Sequence, residues 1–433
     1  MNRKYASEAL RISDRIAERL TDPAKVHDQV WAPEELLPES QKWYPLSLGS
    51  GLPGISLLFS SRIARDPGSA SYTHTYLTAS LKSLHSAERV PGLYNDVGSL
   101  AFATWIAHRA TGGYVQAVEK LDEHVQFVSE SMRAMVGEGP CRSFQEFDVL
   151  SGLTGIGRYL LIRQDGMREE LEGVLATLVQ MASDVEHGGS RVPGYWSLVP
   201  PAADPERALP FGSDGHLNLG LAHGIAGPLA LLSLSWSAGI AVDGQQRAIE
   251  KLVGLLVDWS LQDEHGVFWP GWVSFDEWRA GEVGPWGRKR PSWCYGSPGV
   301  SRALQLAGRA LGRRSWSELA VSSVASQLSV PHTDWVMHDA SACHGWAGAL
   351  YLLQFFEEDC PEVSQILDDI VVRISESFDT DSAFGLRFSV EGAHGEADFP
   401  GFLDGVTGVG LALESYARGE TPTMEWGAAL LTV

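Results

Sequence analysis

Seven times along the chain a degenerate unit recurs, a glycine, two or three residues, a second glycine and an apolar helical run, and no other feature constrains the fold as much. The copies are GLPGISLLF from Gly51, DVGSLAFATWIA from Asp96, GLTGIGRYLL from Gly152, HGIAGPLALL from His223, YGSPGVSRAL from Tyr295, HGWAGALYLL from His344 and DGVTGVGLALES from Asp404. A recurring unit of this size cannot bury its apolar face alone, so neighbouring copies must stack. First glycines at 51, 98, 152, 224, 296, 345 and 405 leave intervals of 47 to 72 residues, room for a helix pair and its loops in each. In the second copy Gly98 reads as the first glycine, with Ala101 where the second would stand.

The glycine-led runs are apolar nearly all round, as inner helices packed on both sides must be. Between them lie stretches such as VQAVEKLDEHVQFVSESMRAM and REELEGVLATLVQMASDV, apolar at spacings of three and four. That spacing is the mark of an outer helix with one wet face. Seven inner and seven outer helices closed head to tail predict an all-α fold, an α/α toroid, as a single domain over residues 1–433. An open solenoid is the competing architecture; closure is preferred because neither end unit looks like a polar cap. The two 72-residue intervals contain Pro-, Gly- and Trp-rich insertions, residues 186–216 and 263–293, expected as ordered loops or short strands roofing the active-site face. The segment Phe384–Pro400 has the same character.

Composition narrows the partners. Thirty-three basic against 54 acidic residues give a net charge of −21, which repels phosphate backbones and argues against nucleic acid. The N-terminus breaks its apolar residues with charges and has no signal-peptide core, so the expected location is cytoplasmic. Gly215 to Val242 carries no Asp, Glu, Lys or Arg, yet its His216, Asn218, His223, Pro228 and serines make it a buried helix after a polar loop rather than a membrane span. Walker, dinucleotide-binding, HExxH and GxSxG patterns are absent from the sequence.

The chemistry concentrates at the repeat starts. Asp148 precedes Gly152, His223 precedes Gly224, Cys294 and Tyr295 precede Gly296, and Cys343 and His344 precede Gly345. If the repeats superpose, these side chains converge at one mouth of the toroid. Two thiols and an imidazole suit Zn²⁺, with Zn–S of about 2.3 Å, and three protein ligands leave the open position of a catalytic zinc. Adjacent residues diverge on a regular helix, so Cys343 and His344 can share a metal only from a loop or a helix start, and the glycine turn supplies the start. The remaining thiols, Cys141 and Cys360, read as small buried residues. Taken alone, His223 and Asp148 would be helix caps, and Tyr295 and Arg290 ordinary wall and rim residues.

The segments WCYGSPG (Trp293 to Gly299), CHGWAG (Cys343 to Gly348), AHGIAG (Ala222 to Gly227) and DVLSGLTGIG (Asp148 to Gly157) together resemble the signature of the lanthipeptide cyclases, the LanC family. The likeness covers nearly the whole chain, in order. It implies one Zn²⁺ on Cys294, Cys343 and His344, with His223, Asp148, Tyr295 and Arg290 around it. It further implies intramolecular Michael addition of precursor cysteine thiols to dehydroalanine or dehydrobutyrine, forming (methyl)lanthionine rings in lantibiotic biosynthesis. In that chemistry His223 is the proton donor by type, Asp148 orients it, and Arg290 and Tyr295 face the enolate oxygen. The implied partners are the dehydrated precursor peptide with its leader and a separate dehydratase, in a synthetase complex with a transporter that could hold the protein at the membrane.

Other readings compete. LanC-like proteins associated with glutathione share the pattern. A zinc prenyltransferase-like barrel also activates peptide thiols but uses an acidic ligand, which the Cys343–His344 pair argues against. A non-catalytic zinc scaffold would have no use for an open coordination position or for His223.

Overall fold

The computed structural model describes residues 3–31, 43–84, 92–199, 214–390, 395–419, 421–422 and 425–433. Its helices are α1 (Ala6–Arg19), α2 (Pro23–Gln29), α3 (Leu52–Arg62), α4 (Ser69–Ser83), α5 (Asp96–Thr111), α6 (Val115–Met135), α7 (Leu153–Ile162), α8 (Gln164–Met181), α9 (Ala226–Ser237), α10 (Gln245–Asp258), α11 (Phe275–Ala280), α12 (Ser297–Leu311), α13 (Arg314–Leu328), α14 (Trp346–Leu353), α15 (Val363–Glu376) and α16 (Val406–Arg418). Each of the seven glycine units opens one helix: α3, α5, α7, α9, α12, α14 and α16. The chain forms two compact units, residues 1–125 with 337–427, and residues 126–336 with 428–433.

In the first unit the glycine-led helices pack in the order α5, α3, α16, α14. The first and last repeats are therefore neighbours, a contact that an open solenoid with free ends does not make. On the outside, α4 packs on α3, α15 on α14, and the N-terminal α1 on α16. A buried pair pins this junction, Arg62 of α3 with Glu414 of α16 at 2.6 Å, and Arg62 also pairs with the part-exposed Asp14 of α1. In the second unit α7, α9 and α12 pack in sequence, backed by α8, α10 and α13.

The inner helices are buried on every side, as their composition predicts. On α9 the nine residues from Ala226 to Leu234 include only one that is not fully buried. Its serines are compatible with burial because they bond to the preceding turn, Ser233 Oγ to Leu229 O at 2.7 Å and Ser235 Oγ to Leu231 O at 2.9 Å. The polar lead-in of this stretch is a strand, β3 (His216–Asn218), where a loop was expected.

The structure corrects the glycine register of the second repeat. A Cβ built on the second glycine of a unit would strike the carbonyl oxygen six residues back: Leu48 for Gly54, Leu221 for Gly227, Trp293 for Gly299, Ala342 for Gly348 and Phe402 for Gly408, at 2.0–2.8 Å. Gly98 meets Gly92 O in the same way at 2.1 Å, so it is the second glycine, and Asn95 occupies the first position. The close approach, which only a residue without Cβ permits, is what that position requires.

Successive repeat starts are stitched by backbone hydrogen bonds. In the first unit Cys343 N donates to Leu403 O (3.0 Å), Leu403 N to Gly49 O (2.8 Å) and Leu48 N to Tyr94 O (2.9 Å). In the second, Val149 N donates to Ala222 O and Leu221 N to Cys294 O, both at 3.0 Å.

The insertions form short antiparallel pairs, as expected. Strands β1 (Asp184–His187) and β2 (Ser190–Pro193) make a hairpin, β4 (Leu261–Asp263) pairs with β5 (Gly266–Phe268), β3 pairs with β6 (Trp272–Ser274), and β7 (Phe388–Ser389) pairs with β8 (Glu396–Ala397). The middle of the first insertion, 200–213, and residues 391–394 of the third lie outside the described residues.

Candidate active site

With the register set by packing, the residue just before the first-glycine position is polar in all seven repeats. These are Ser50, Tyr94, His344 and Asp404 in the first unit, and Ser151, His223 and Tyr295 in the second. Sequence reasoning found the imidazoles and Tyr295 but missed Tyr94 and Asp404; correct alignment of Gly98 is the signal that would have found Tyr94.

In the second unit Asp148, 1% exposed, holds two jobs with one carboxylate. Its Oδ1 accepts the N–H groups of Ser151 (2.7 Å) and Gly152 (2.8 Å) ahead of α7, and its Oδ2 lies 2.7 Å from Nδ1 of His223. A carboxylate only accepts, so His223 Nδ1 carries the proton and Nε2 is the basic nitrogen. The His223 ring is held edge-on by Phe144 at 4.8 Å and stands 6.5 Å from the ring of Tyr295. It stays one quarter exposed, accessible to a substrate. Tyr295 Oη accepts from Nδ2 of Asn218 at 2.9 Å.

Cys294 is buried, and its carbonyl receives Leu221 N–H. Arg290 is half-buried, and its carbonyl lies where a Cβ on Gly296 would sit, at 2.2 Å. With φ of 101°, Gly296 is a place where glycine is obligatory on both counts.

In the first unit Cys343 and His344 are both half-buried at the start of α14. His344 lies between two carboxylates beyond hydrogen-bond range, Nε2 3.9 Å from Asp339 and Nδ1 3.8 Å from Asp404. Asp339 is buried and fixed by the N–H groups of Ser341 (2.8 Å) and Ser389 (3.1 Å). Burial, aided by the charges of Cys343 and Asp404, pushes the Tyr94 phenol well above its ordinary range.

Cys294 thus stands at a repeat start of the second unit, and Cys343 and His344 at a repeat start of the first. Two thiols and one imidazole match the preference of zinc. The other cysteines behave as expected of core thiols. Cys141 donates to Gly194 O at 3.0 Å, and burial drives its thiol far up. Cys360 is pushed up to about 11, first by burial and then by Glu362.

Over residues 42–431 the chain matches the family described as lanthionine synthetase C-like protein. The chain belongs to this family. Among curated proteins it is similar to the nisin biosynthesis protein NisC of Lactococcus lactis subsp. lactis, 22% identical over 395 residues that span 89% of this chain and 88% of that one. Among solved structures it is similar to a nisin cyclase, with a TM-score of 0.74 and 19% identity, covering 90% of this chain and 92% of that one. The lanthionine synthetase C-like fold, an α/α toroid, is thus the fold of this chain. No described helix is long and apolar enough to cross a membrane.

Proposed function

We propose that this protein is a zinc-dependent lanthipeptide cyclase. It adds cysteine thiols of a dehydrated precursor peptide to dehydroalanine or dehydrobutyrine residues of the same peptide, forming lanthionine and methyllanthionine rings. The observation that carries the reading is the donor set, Cys294, Cys343 and His344, at repeat starts of a lanthionine synthetase C-like chain. These three residues would hold one zinc ion per chain, and the two compact units would act as a single domain. Bound there, zinc supplies the positive charge that deprotonates a substrate thiol near neutral pH.

The chain's own residues account for the rest of the reaction. As the sulfur–carbon bond forms at the β-carbon, the alkene electrons move to the peptide carbonyl and leave an enolate. His223 Nε2 takes up, through water, the proton lost from the thiol and delivers it to the α-carbon, so the addition is neutral overall. Asp148 keeps His223 in the tautomer and orientation that transfer requires, and its negative charge stabilises the protonated imidazole. Tyr295 and Arg290 direct hydrogen bonds to the enolate oxygen.

Dehydration of precursor serine and threonine belongs to a separate dehydratase, and the leader-bearing precursor is the shared substrate. The cyclase works in the cytoplasm and meets the membrane only through a complex with that dehydratase and a transporter.

X-ray absorption at the zinc edge tests the reading. Sulfur coordination rises from two to three when a cysteine-containing dehydrated precursor is added. An unchanged count overturns thiol activation at this site.

A further inference from the structure

Ser292 is fully buried in the turn ahead of α12, two residues before Cys294. Its hydroxyl oxygen lies 3.6 Å from Cys294 Sγ, within hydrogen-bond range for sulfur. The same oxygen lies 2.5 Å from the carbonyl oxygen of Tyr295 and accepts Tyr295 N–H at 3.4 Å. A serine hydroxyl carries one proton and can turn it to either acceptor, whereas a thiolate on a metal can only accept. Turning that proton to sulfur strands no buried group, because Tyr295 O keeps the N–H of Ser292 at 3.3 Å. The turn is also held without the proton: Ser292 N donates to Arg290 O and Trp293 Nε1 to Leu430 O, both at 2.9 Å.

We propose that Ser292 is a positioning residue acting through Cys294: its hydroxyl donates to the ligand sulfur and keeps that sulfur a ligand rather than a nucleophile. The cyclase reaction needs two kinds of thiolate on one metal. The substrate sulfur must attack an alkene, whereas a protein sulfur that did so would be lost as a thioether. In that side reaction Cys294 Sγ bonds to the β-carbon, the alkene electrons pass to the peptide carbonyl, and the α-carbon then takes a proton from water, leaving hydroxide. A hydrogen bond to a charged sulfur is stronger than one to a neutral carbonyl. It draws lone-pair density away from attack and leaves the charge that binds a cation. This inference rests on the reading of Cys294 as a zinc ligand.

Cobalt substituted for zinc reports on the sulfur through its sulfur-to-metal charge-transfer band. Loss of the hydrogen bond in Ser292→Ala raises the sulfur lone pairs and moves that band to lower energy, and Ser292→Thr, which restores a hydroxyl, moves it back. The chemical arm gives the zinc-loaded proteins N-acetyldehydroalanine methyl ester with no substrate thiol present. Peptide mapping then finds the adduct on Cys294 forming about 10-fold faster, or more, in Ser292→Ala than in wild type. An unshifted band, or equal adduct rates, overturns the proposal. If Ser292→Ala does not fold, cadmium-113 in the wild type decides: a serine hydroxyl proton correlated to the metal through sulfur supports the hydrogen bond, and a proton–cadmium spectrum without one overturns it. Cys294→Ala separates this inference from the reading beneath it. If that variant keeps its metal and the wild-type cobalt spectrum, the ligand reading falls and the inference falls with it. If it loses them while Ser292→Ala changes neither band nor adduct rate, only the inference falls.

Discussion

His223 Nδ1 lies 2.7 Å from Asp148 Oδ2, and the other oxygen of that carboxylate closes the turn ahead of α7. One buried side chain thus builds a helix start and sets an imidazole tautomer. The two jobs can be separated. Asp148→Asn keeps an oxygen for the turn amides but no longer holds the imidazole tautomer or stabilises its protonated form. Ring formation slows by about 10²- to 10⁴-fold while the melting temperature hardly moves. Asp148→Ala loses both jobs and gives up a further ~1 kcal/mol or more of stability. Thermal melts and ring counts by thiol alkylation and mass spectrometry distinguish these outcomes, and wild-type rates for Asp148→Asn would remove Asp148 from the mechanism.

Gly296→Ala tests the repeat start that carries Cys294 and Tyr295. The new Cβ meets both a left-handed φ and the Arg290 carbonyl at 2.2 Å. The expected loss exceeds the ~1–3 kcal/mol of a strained backbone alone, together with loss of zinc. Gly312→Ala, also left-handed at φ 63° but with nothing within 4 Å, serves as the control and keeps its zinc. Equal melting temperatures for the two variants would contradict the account of the glycine.

Metal content should follow the cysteines selectively. Cys294→Ala and Cys343→Ala lose zinc by elemental analysis, whereas Cys141→Ala and Cys360→Ala retain it, because those thiols are held protonated by burial. Chelation abolishes ring formation and added zinc restores it. Full zinc in Cys343→Ala would sink the ligand assignment.

Much of this was legible in the chain because the repeat carries its own ruler. The glycines at 224, 296 and 345 aligned His223, Tyr295 and His344, with the thiols one residue earlier, and a soft donor set then pointed to zinc. The ruler failed at Gly98, where Asn95 replaces the first glycine and only packing reveals the true register; Tyr94 was missed for that reason. Asn218 was hidden differently. It lies on a short strand six residues before the glycine, and its amide meets Tyr295 across 77 positions of sequence. Asp339, also unremarked in the sequence, faces His344 through a loop that no periodicity describes.

The loop leading to Arg290 is anchored by Arg288, whose guanidinium binds Asp263 at 2.6 and 2.7 Å and Ser326 at 2.7 Å. That hydrogen-bonded pairing holds the Asp263 carboxyl down to about 2, below its ordinary 3.8. A depressed carboxylate contributes stability that is full above its unfolded value and is lost as the pH falls through the folded one. The difference in urea midpoint between wild type and Arg288→Ala is therefore constant above about pH 5 and narrows between about pH 4 and pH 2. A gap independent of pH would show that Arg288 acts by packing alone.

The central claim is that this protein closes thioether rings with zinc activating the thiol and His223 supplying the proton. Spontaneous addition needs free thiolate, which is scarce at mildly acidic pH, so the catalysed reaction stands clear of background there. The direct measurement is ring formation on a dehydrated precursor under those conditions, for wild type, His223→Asn and no protein, with zinc determined in each sample. Wild type should form rings well above background, and His223→Asn should keep its zinc yet run about 10²- to 10⁴-fold slower. Rings no faster with wild type than without protein, or His223→Asn as fast as wild type, would contradict the account.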